Sequence, residues 1–225
     1  LSGDGDTLKF KEKACLYLDS HFISAVKVGG SDTLVFTPVD AKRNYPVFGI
    51  SWTGAAMVCN YKSRRDGLTL CYDDSFVVNI TNTGYRLPTE AEWEYVARGK
   101  RQGEVETLYP TGPILGATMA NYTWDLSHPT VVRVGFFLAN PFGVYDLAGN
   151  IWEWCSDYYG AQYYDSLFSS GTADNPVNIA SASGLRVMRG GSYLDNAELL
   201  QTTRRAYSVP GTLSPAVGFR MVRRK

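Results

Sequence analysis

Two stretches of the chain carry a helical period. Trp52, Ala55, Ala56 and Cys59 recur at i, i+3, i+4 and i+7 and predict a helix over 52–65. Ser51 supplies its N-cap and Asp66-Gly67 its stop. Thr89-Glu90-Ala91-Glu92 reads as a capping box that opens a second helix over 90–98. There Trp93 and Ala97 form the buried stripe, Arg98 faces the negative end of the helix dipole and Gly99 terminates it. Toward the C-terminus the period changes to two. Arg186–Arg189 and 217–222 alternate apolar and polar positions, as half-buried strands do. Between them, Gly190-Gly191-Ser192 reads as a turn, and 193–216 shows no sustained period, with breakers at Pro210, Gly211 and Pro215. A long irregular stretch framed by regular ends is a favoured place for function. Elsewhere, residues 1–40 and 68–80 read as short strands and turns, and 100–140 as loop.

With 225 residues the chain has room for one large domain or two small ones, and for a sizeable core without disulfide staples. Lys+Arg and Asp+Glu both number 22, and a chain with no basic field is a poor nucleic-acid binder. The cluster Arg220, Arg223, Arg224 and Lys225 reads as a solvated end. No apolar run is long enough to span a bilayer, so membrane contact is expected only through a lipid anchor outside this chain. The start at Leu1 rather than Met reads as a processed or trimmed form. The four cysteines, Cys15, Cys59, Cys71 and Cys155, lack zinc spacing. Cys59 belongs to the core, and a Cys59–Cys71 bridge and free buried thiols both stay open.

Candidate chemistry is sparse. His21 and His128 are isolated, and no nucleophile stands beside a base. Glu90, Glu92 and Glu94 fit the acidic first turn of a helix better than acid–base catalysis. Asp146 and Glu153 flank Gly149, a bend where carbonyls turn inward. Two carboxylates plus such carbonyls suit a hard cation such as Ca²⁺, and equally a tight turn in which they accept main-chain N–H groups. Ala120–Asp125 is the one dense polar-aromatic patch of the middle region. Tyr158, Tyr159, Tyr163, Tyr164 and Phe168 form an aromatic cluster that is either packing or a ligand shelf.

Ile50-Ser-Trp52, Gly84–Tyr95, Asn140–Trp154, Arg189–Tyr193 and Gly218-Phe-Arg220 occur in the order found in the formylglycine-generating-enzyme (sulfatase-modifying factor) superfamily, which 45–222 therefore resembles. The resemblance implies a single α+β domain over 1–225 of the C-type lectin fold, with small twisted antiparallel sheets, two main helices and much loop. Oxidases of that family use copper and a cysteine pair just after the Gly-Gly-Ser turn. Here the matching positions are Asp195 and Leu200, and no cysteine follows Cys155. A carboxylate and an alkyl chain cannot replace thiolates for soft Cu(I), so no catalytic residue or catalytic cofactor is expected. The family's iron-dependent sulfoxide synthases need a His-rich bundle, and this chain has 2 His.

The chain is most similar to the branch whose C-terminal loop is rewritten by diversity-generating retroelements. On that resemblance 186–222 is a variable region. Its framework is Ala197, Leu200, Arg205, Pro210, Gly218, Phe219 and Arg220. Its ligand-contacting positions are Tyr193, Leu194, Asp195, Asn196, Leu199, Ala206, Tyr207, Ser208, Val209, Gly211, Thr212 and Ser214. Glu198 and Arg204 occupy further slots of the loop, and Trp152, Tyr158 and Tyr159 are expected neighbours. The resemblance also implies structural Ca²⁺ on Asp146, Glu153 and the carbonyls of Gly149 and Ile151. A second site would use Asn121 and the Tyr122 carbonyl, its later ligands unmatched. The expected function is non-enzymatic binding of a protein or cell-surface ligand, outside the cell, by a lipid-anchored full-length protein. The alternatives are a fixed carbohydrate- or protein-binding module, and an enzyme with chemistry other than formylglycine formation.

Overall fold

The computed structural model describes the main chain of short elements between residues 2 and 42. It describes the chain in full over 41–99, 106–116, 118–123, 130–171 and 174–224. His21, His128 and the Trp124-Asp125 end of the polar-aromatic patch lie outside the described residues, as does the Cys15 side chain. At the N-terminus β1 (Ser2–Asp4), β2 (Thr7–Phe10) and β3 (Lys13–Tyr17) form an antiparallel sheet, and β4 (Ile23–Lys27) pairs with β5 (Leu34–Pro38).

Helix α1 (Trp52–Arg65) has the predicted bounds, and Ser51 Oγ accepts the Gly54 N–H at 3.0 Å. After β6 (Tyr85–Arg86), helix α2 (Glu90–Arg98) also follows prediction. Thr89 Oγ1 accepts from the Glu92 N–H at 3.1 Å, and the Glu92 carboxylate accepts from the Thr89 N–H at 2.8 Å. Gly99 closes the helix at φ +57°, where a side chain would be strained. The 68–80 segment is mostly turn, with an isolated bridge between Tyr72 and Val78. Helix α3 (Tyr163–Ser170) was not predicted; Tyr163, Tyr164, Leu167 and Phe168 fall at a helical spacing, but none of its residues is buried and no side chain caps its start.

The central sheet joins β7 (Trp152–Tyr158), β8 (Arg186–Arg189), β9 (Ala206–Ser208) and β10 (Val217–Gly218) in the order β10-β7-β8-β9. Helices cover both faces. Trp154 and Met188 pack with Trp52, Ala55, Ala56 and Cys59 of α1, whereas Cys155 and Val187 pack with Trp93 and Ala97 of α2. Each large side chain so buried contributes roughly 1.5–3 kcal/mol. The indole N–H groups keep partners, Trp52 on the Cys155 carbonyl at 2.7 Å and Trp154 on the Ile50 carbonyl at 2.9 Å.

This arrangement corrects two strand expectations. All of Arg186–Arg189 is buried, so β8 is a central strand and not a half-exposed one. The predicted strand over 217–222 is split. Val217–Gly218 runs parallel to β7, and β11 (Val222–Arg223) pairs antiparallel with β6. Between them the Arg220 side chain bonds Glu153 of β7.

Candidate functional site

The stretch between β8 and β10 leaves the sheet through Gly190 (φ +98°) and Gly191 (φ +74°). A Cβ on Gly191 would stand 2.5 Å from Leu200 Cδ1, so the turn requires glycine for space as well as conformation. Asp195 Oδ2 closes the next turn on the Ser192 N–H (2.9 Å) and hydroxyl (2.5 Å). A 3-10 turn over Ala197–Leu200 then drives Leu200, 0% exposed, against Tyr109, Tyr122 and Ala148. Neighbouring elements hold the main chain along its length. Arg189 donates to the carbonyls of Thr202 (2.7 Å) and Arg204, the Leu108 carbonyl accepts the Thr202 N–H (3.0 Å), and the Asp195 carbonyl accepts the Thr123 N–H (3.0 Å). Farther on, the Pro210 carbonyl accepts the Trp52 N–H and the Ser214 carbonyl the Gly49 N–H, both at 3.0 Å.

None of the twelve expected contact positions is buried, whereas Leu200 and Gly218 of the framework are. The structure sorts the twelve into groups. Leu194, Asn196, Tyr207, Val209 and Gly211 are exposed. Tyr193, Leu199 and Ala206 lean on core clusters and are half-buried. Asp195, Ser208, Thr212 and Ser214 have internal partners, the Ser208 and Thr212 hydroxyls each other at 2.7 Å. Glu198 and Arg204 pair with one another at the surface. Of the expected neighbours, Trp152 is core, 8% exposed, and takes no part in the surface.

Sequence reading missed the ion-pair frame beneath this surface. Glu90, 1% exposed, takes both arms of Arg205 at 2.7 and 2.8 Å. Glu94 accepts from Arg189 at 2.5 Å. These partners are 115 and 95 residues apart, and no local signal connects them. Arg205 lies 4.8 Å from the Tyr159 ring and 5.2 Å from the Tyr164 ring, and Tyr159 stacks on Tyr207 at 4.1 Å. Arg186 is held between the rings of Trp52 (3.6 Å) and Tyr158 (3.5 Å), and its burial lowers its pKa to about 10. Asp157 accepts the Glu90 N–H and the Asn178 N–H, and burial raises its pKa to about 7.

Of the four expected calcium residues, Asp146, Ile151 and Glu153 line a pocket of about 660 Å³ at another edge with Tyr45, Val134 and Arg220, and Gly149 is not among its lining. Glu153 accepts from Trp93 Nε1 at 2.7 Å and from two Arg220 nitrogens, each at 2.5 Å. Asp146 Oδ2 accepts the Gly135 N–H at 2.6 Å, while its Oδ1 is buried without a partner. Burial raises the Asp146 pKa, and the nearby Glu153 adds to the rise. Gly149 (φ +72°) presses on Asn121, whose carbonyl a Cβ there would approach to 2.1 Å. Among the described residues no three His, Cys, Asp or Glu gather as metal ligands. Both Glu153 oxygens are taken by Arg220, one of them also by Trp93, so Asp146 Oδ1 is the one carboxylate oxygen of the expected set left open to a hard cation. At the other expected site, Asn121 Oδ1 is likewise buried without a partner.

The copper site of the oxidases is not fitted. Asp195 is tied into a turn and Leu200 is core, and neither offers sulfur. Cys59, Cys71 and Cys155 are free and buried, with thiol pKa values raised by burial, that of Cys59 to about 12.

Residues 21–225 match the sulfatase-modifying factor enzyme 1-like domain. The chain is 33% identical over 192 residues to the serine/threonine-protein kinase pkn1 of Chlamydia caviae, covering 84% of this chain and 25% of that one. It is 30% identical over 197 residues to the formylglycine-generating enzyme of Streptomyces coelicolor, covering 81% and 54%. The chain thus spans a quarter to a half of these relatives. Treponema denticola variable protein 1 superimposes with a TM-score of 0.68 at 26% identity, over 89% of this chain and 75% of that one. The mixed α+β architecture is accordingly of the C-type-lectin-like type, and the chain belongs to the sulfatase-modifying factor enzyme 1-like family.

Proposed function

We propose that this chain is a non-enzymatic binding domain whose contact surface is the 193–214 loop, rewritten between copies by a diversity-generating retroelement. The observation that carries this reading is the pattern of burial. Every expected contact position is exposed or half-buried, and the most enclosed framework residue between them, Leu200, occupies a position where the oxidases need a cysteine. The likeness to a treponemal variable protein supports it. The kinase activity in the chlamydial relative's name belongs to a protein of which this chain spans 25%, and it is not carried over. Binding would rest on exposed Leu194, Tyr207 and Val209 with adaptable polar neighbours. The full-length protein would display the loop outside the cell on a lipid anchor.

Sequencing the 3′ end of the gene across a population of the source organism tests this. Substitutions confined to the twelve positions, with Leu200, Arg205 and Gly218 constant, are expected. A uniform loop refutes diversification and leaves a fixed carbohydrate- or protein-binding module.

On the same reading Asp146, Glu153 and the Gly149 and Ile151 carbonyls hold structural Ca²⁺, supported by the unpartnered Asp146 Oδ1. Millimolar Ca²⁺ should raise the Tm of EDTA-treated protein, and Asp146→Ala should abolish the rise. An unchanged Tm removes calcium from the account.

A further inference from the structure

We infer that Tyr159, outside the rewritten loop, is a fixed part of the binding surface that makes position 207 its anchor, with Glu90 and Arg205 as positioning residues. This rests on the binding reading above. Tyr159 is pinned by its main chain, its N–H donating to the Leu185 carbonyl at 2.8 Å and its carbonyl accepting from Ser181 Oγ at 3.1 Å. Its ring leans on the Trp93, Cys155 and Val187 cluster. Arg205 lies over that ring and is itself fixed by Glu90 at 2.7 and 2.8 Å and by the Gly160 carbonyl at 3.1 Å. Tyr207, at the centre of β9, stacks on Tyr159 with 4.1 Å between ring centroids and 33° between planes. It nonetheless stays 50% exposed.

A large side chain already held in place loses little freedom when a ligand arrives, which is what an anchor requires. An aromatic residue at 207 inherits that order from Tyr159, whereas a small residue there uncovers the Tyr159 ring. Glu90 cancels the charge of Arg205, so the shelf favours flat apolar groups over ions.

Two measurements separate this inference from the reading beneath it. With 3-fluorotyrosine placed at 207, the fluorine resonance should be dispersed and shift toward that of a free peptide in Tyr159→Leu, which retains packing but not stacking. Arg205→Lys should move it part of the way. A resonance unmoved by Tyr159→Leu overturns the inference, whatever the loop binds. Second, the twelve positions are randomised on phage, in the parent and Tyr159→Leu frames, and selected on hen lysozyme as a probe. Binders from the parent frame should be enriched in aromatics at 207 and should lose affinity roughly 2- to 12-fold when the Tyr159→Leu change is introduced. Equal enrichment in both frames overturns the inference while leaving binding intact. No binders from either frame sinks the binding reading and the anchor with it.

Discussion

The Glu90→Gln substitution tests whether the frame beneath the loop is held by charge. Glu90 is 1% exposed and accepts two hydrogen bonds from Arg205, with Arg189 Nε 3.6 Å from the same carboxylate. Removing one partner of a buried pair typically costs about 3–5 kcal/mol, because the other charge is left without compensation. Here two features reduce that figure. The Arg205 side chain is 20% exposed and retains the Gly160 carbonyl, and Arg189 retains Glu94 and two carbonyls. A loss of about 2–4 kcal/mol remains, which at a urea m-value of roughly 2 kcal/mol/M lowers the midpoint by about 1–2 M. Urea unfolding followed by tryptophan fluorescence reads it directly. Pairing the change with Arg205→Met supplies the control. With the stranded cation gone, the double variant should be at least about 1 kcal/mol more stable than the sum of the single losses. A Glu90→Gln protein within about 0.5 kcal/mol of the parent, or strictly additive losses, would refute the reasoning.

A second prediction concerns Gly218, where a Cβ would stand 2.1 Å from the Val47 carbonyl and 2.5 Å from Ile151 Cδ1. Gly218→Ala must displace main chain and should cost at least about 2 kcal/mol in a thermal or urea melt; a neutral substitution would show that the contact is not tight. The third concerns Asp157, whose folded pKa is raised from 3.8 to about 7 by burial. The folded state then holds a proton that the unfolded state has released between about pH 4 and 7. That contribution is fully present below the unfolded pKa and is lost as pH rises through the folded one. Parent stability should therefore fall relative to Asp157→Asn between about pH 4 and 7, by at most about 1.4 kcal/mol per unit. A difference that stays constant across that range contradicts the shift.

What the chain disclosed in advance depended on how local each cause was. The bounds of α1 and α2 follow from neighbours three or four residues apart and from caps, so they were legible. Helix α3 has neither a buried face nor a side-chain cap to mark it, and β8, read as a half-buried strand, is a strand with every residue buried, which only its place between β7 and β9 explains. The acidic residues of α2 show the limit within one turn. Glu92 does what its spacing implies and closes the capping box, but Glu90 turns to Arg205, 115 residues away. The family pattern named twelve positions, all of which keep some exposure, but it did not carry their packing on one another. That Tyr207 rests on Tyr159 while Tyr193 leans on Phe48 and Ile151 depends on contacts between distant strands and turns.

The grip on the loop has a consequence for its history. Arg189, Leu108, Thr123, Trp52 and Gly49 hold it by its own peptide groups, Leu108 through the Thr202 N–H and the others through the Thr202, Arg204, Asp195, Pro210 and Ser214 carbonyls. A carbonyl is the same whatever residue bears it. Exchanging Leu194, Asn196, Tyr207 or Val209 therefore leaves those fastenings chemically identical. On the binding reading proposed above, selection could then act on what the surface meets while these fastenings are inherited unchanged.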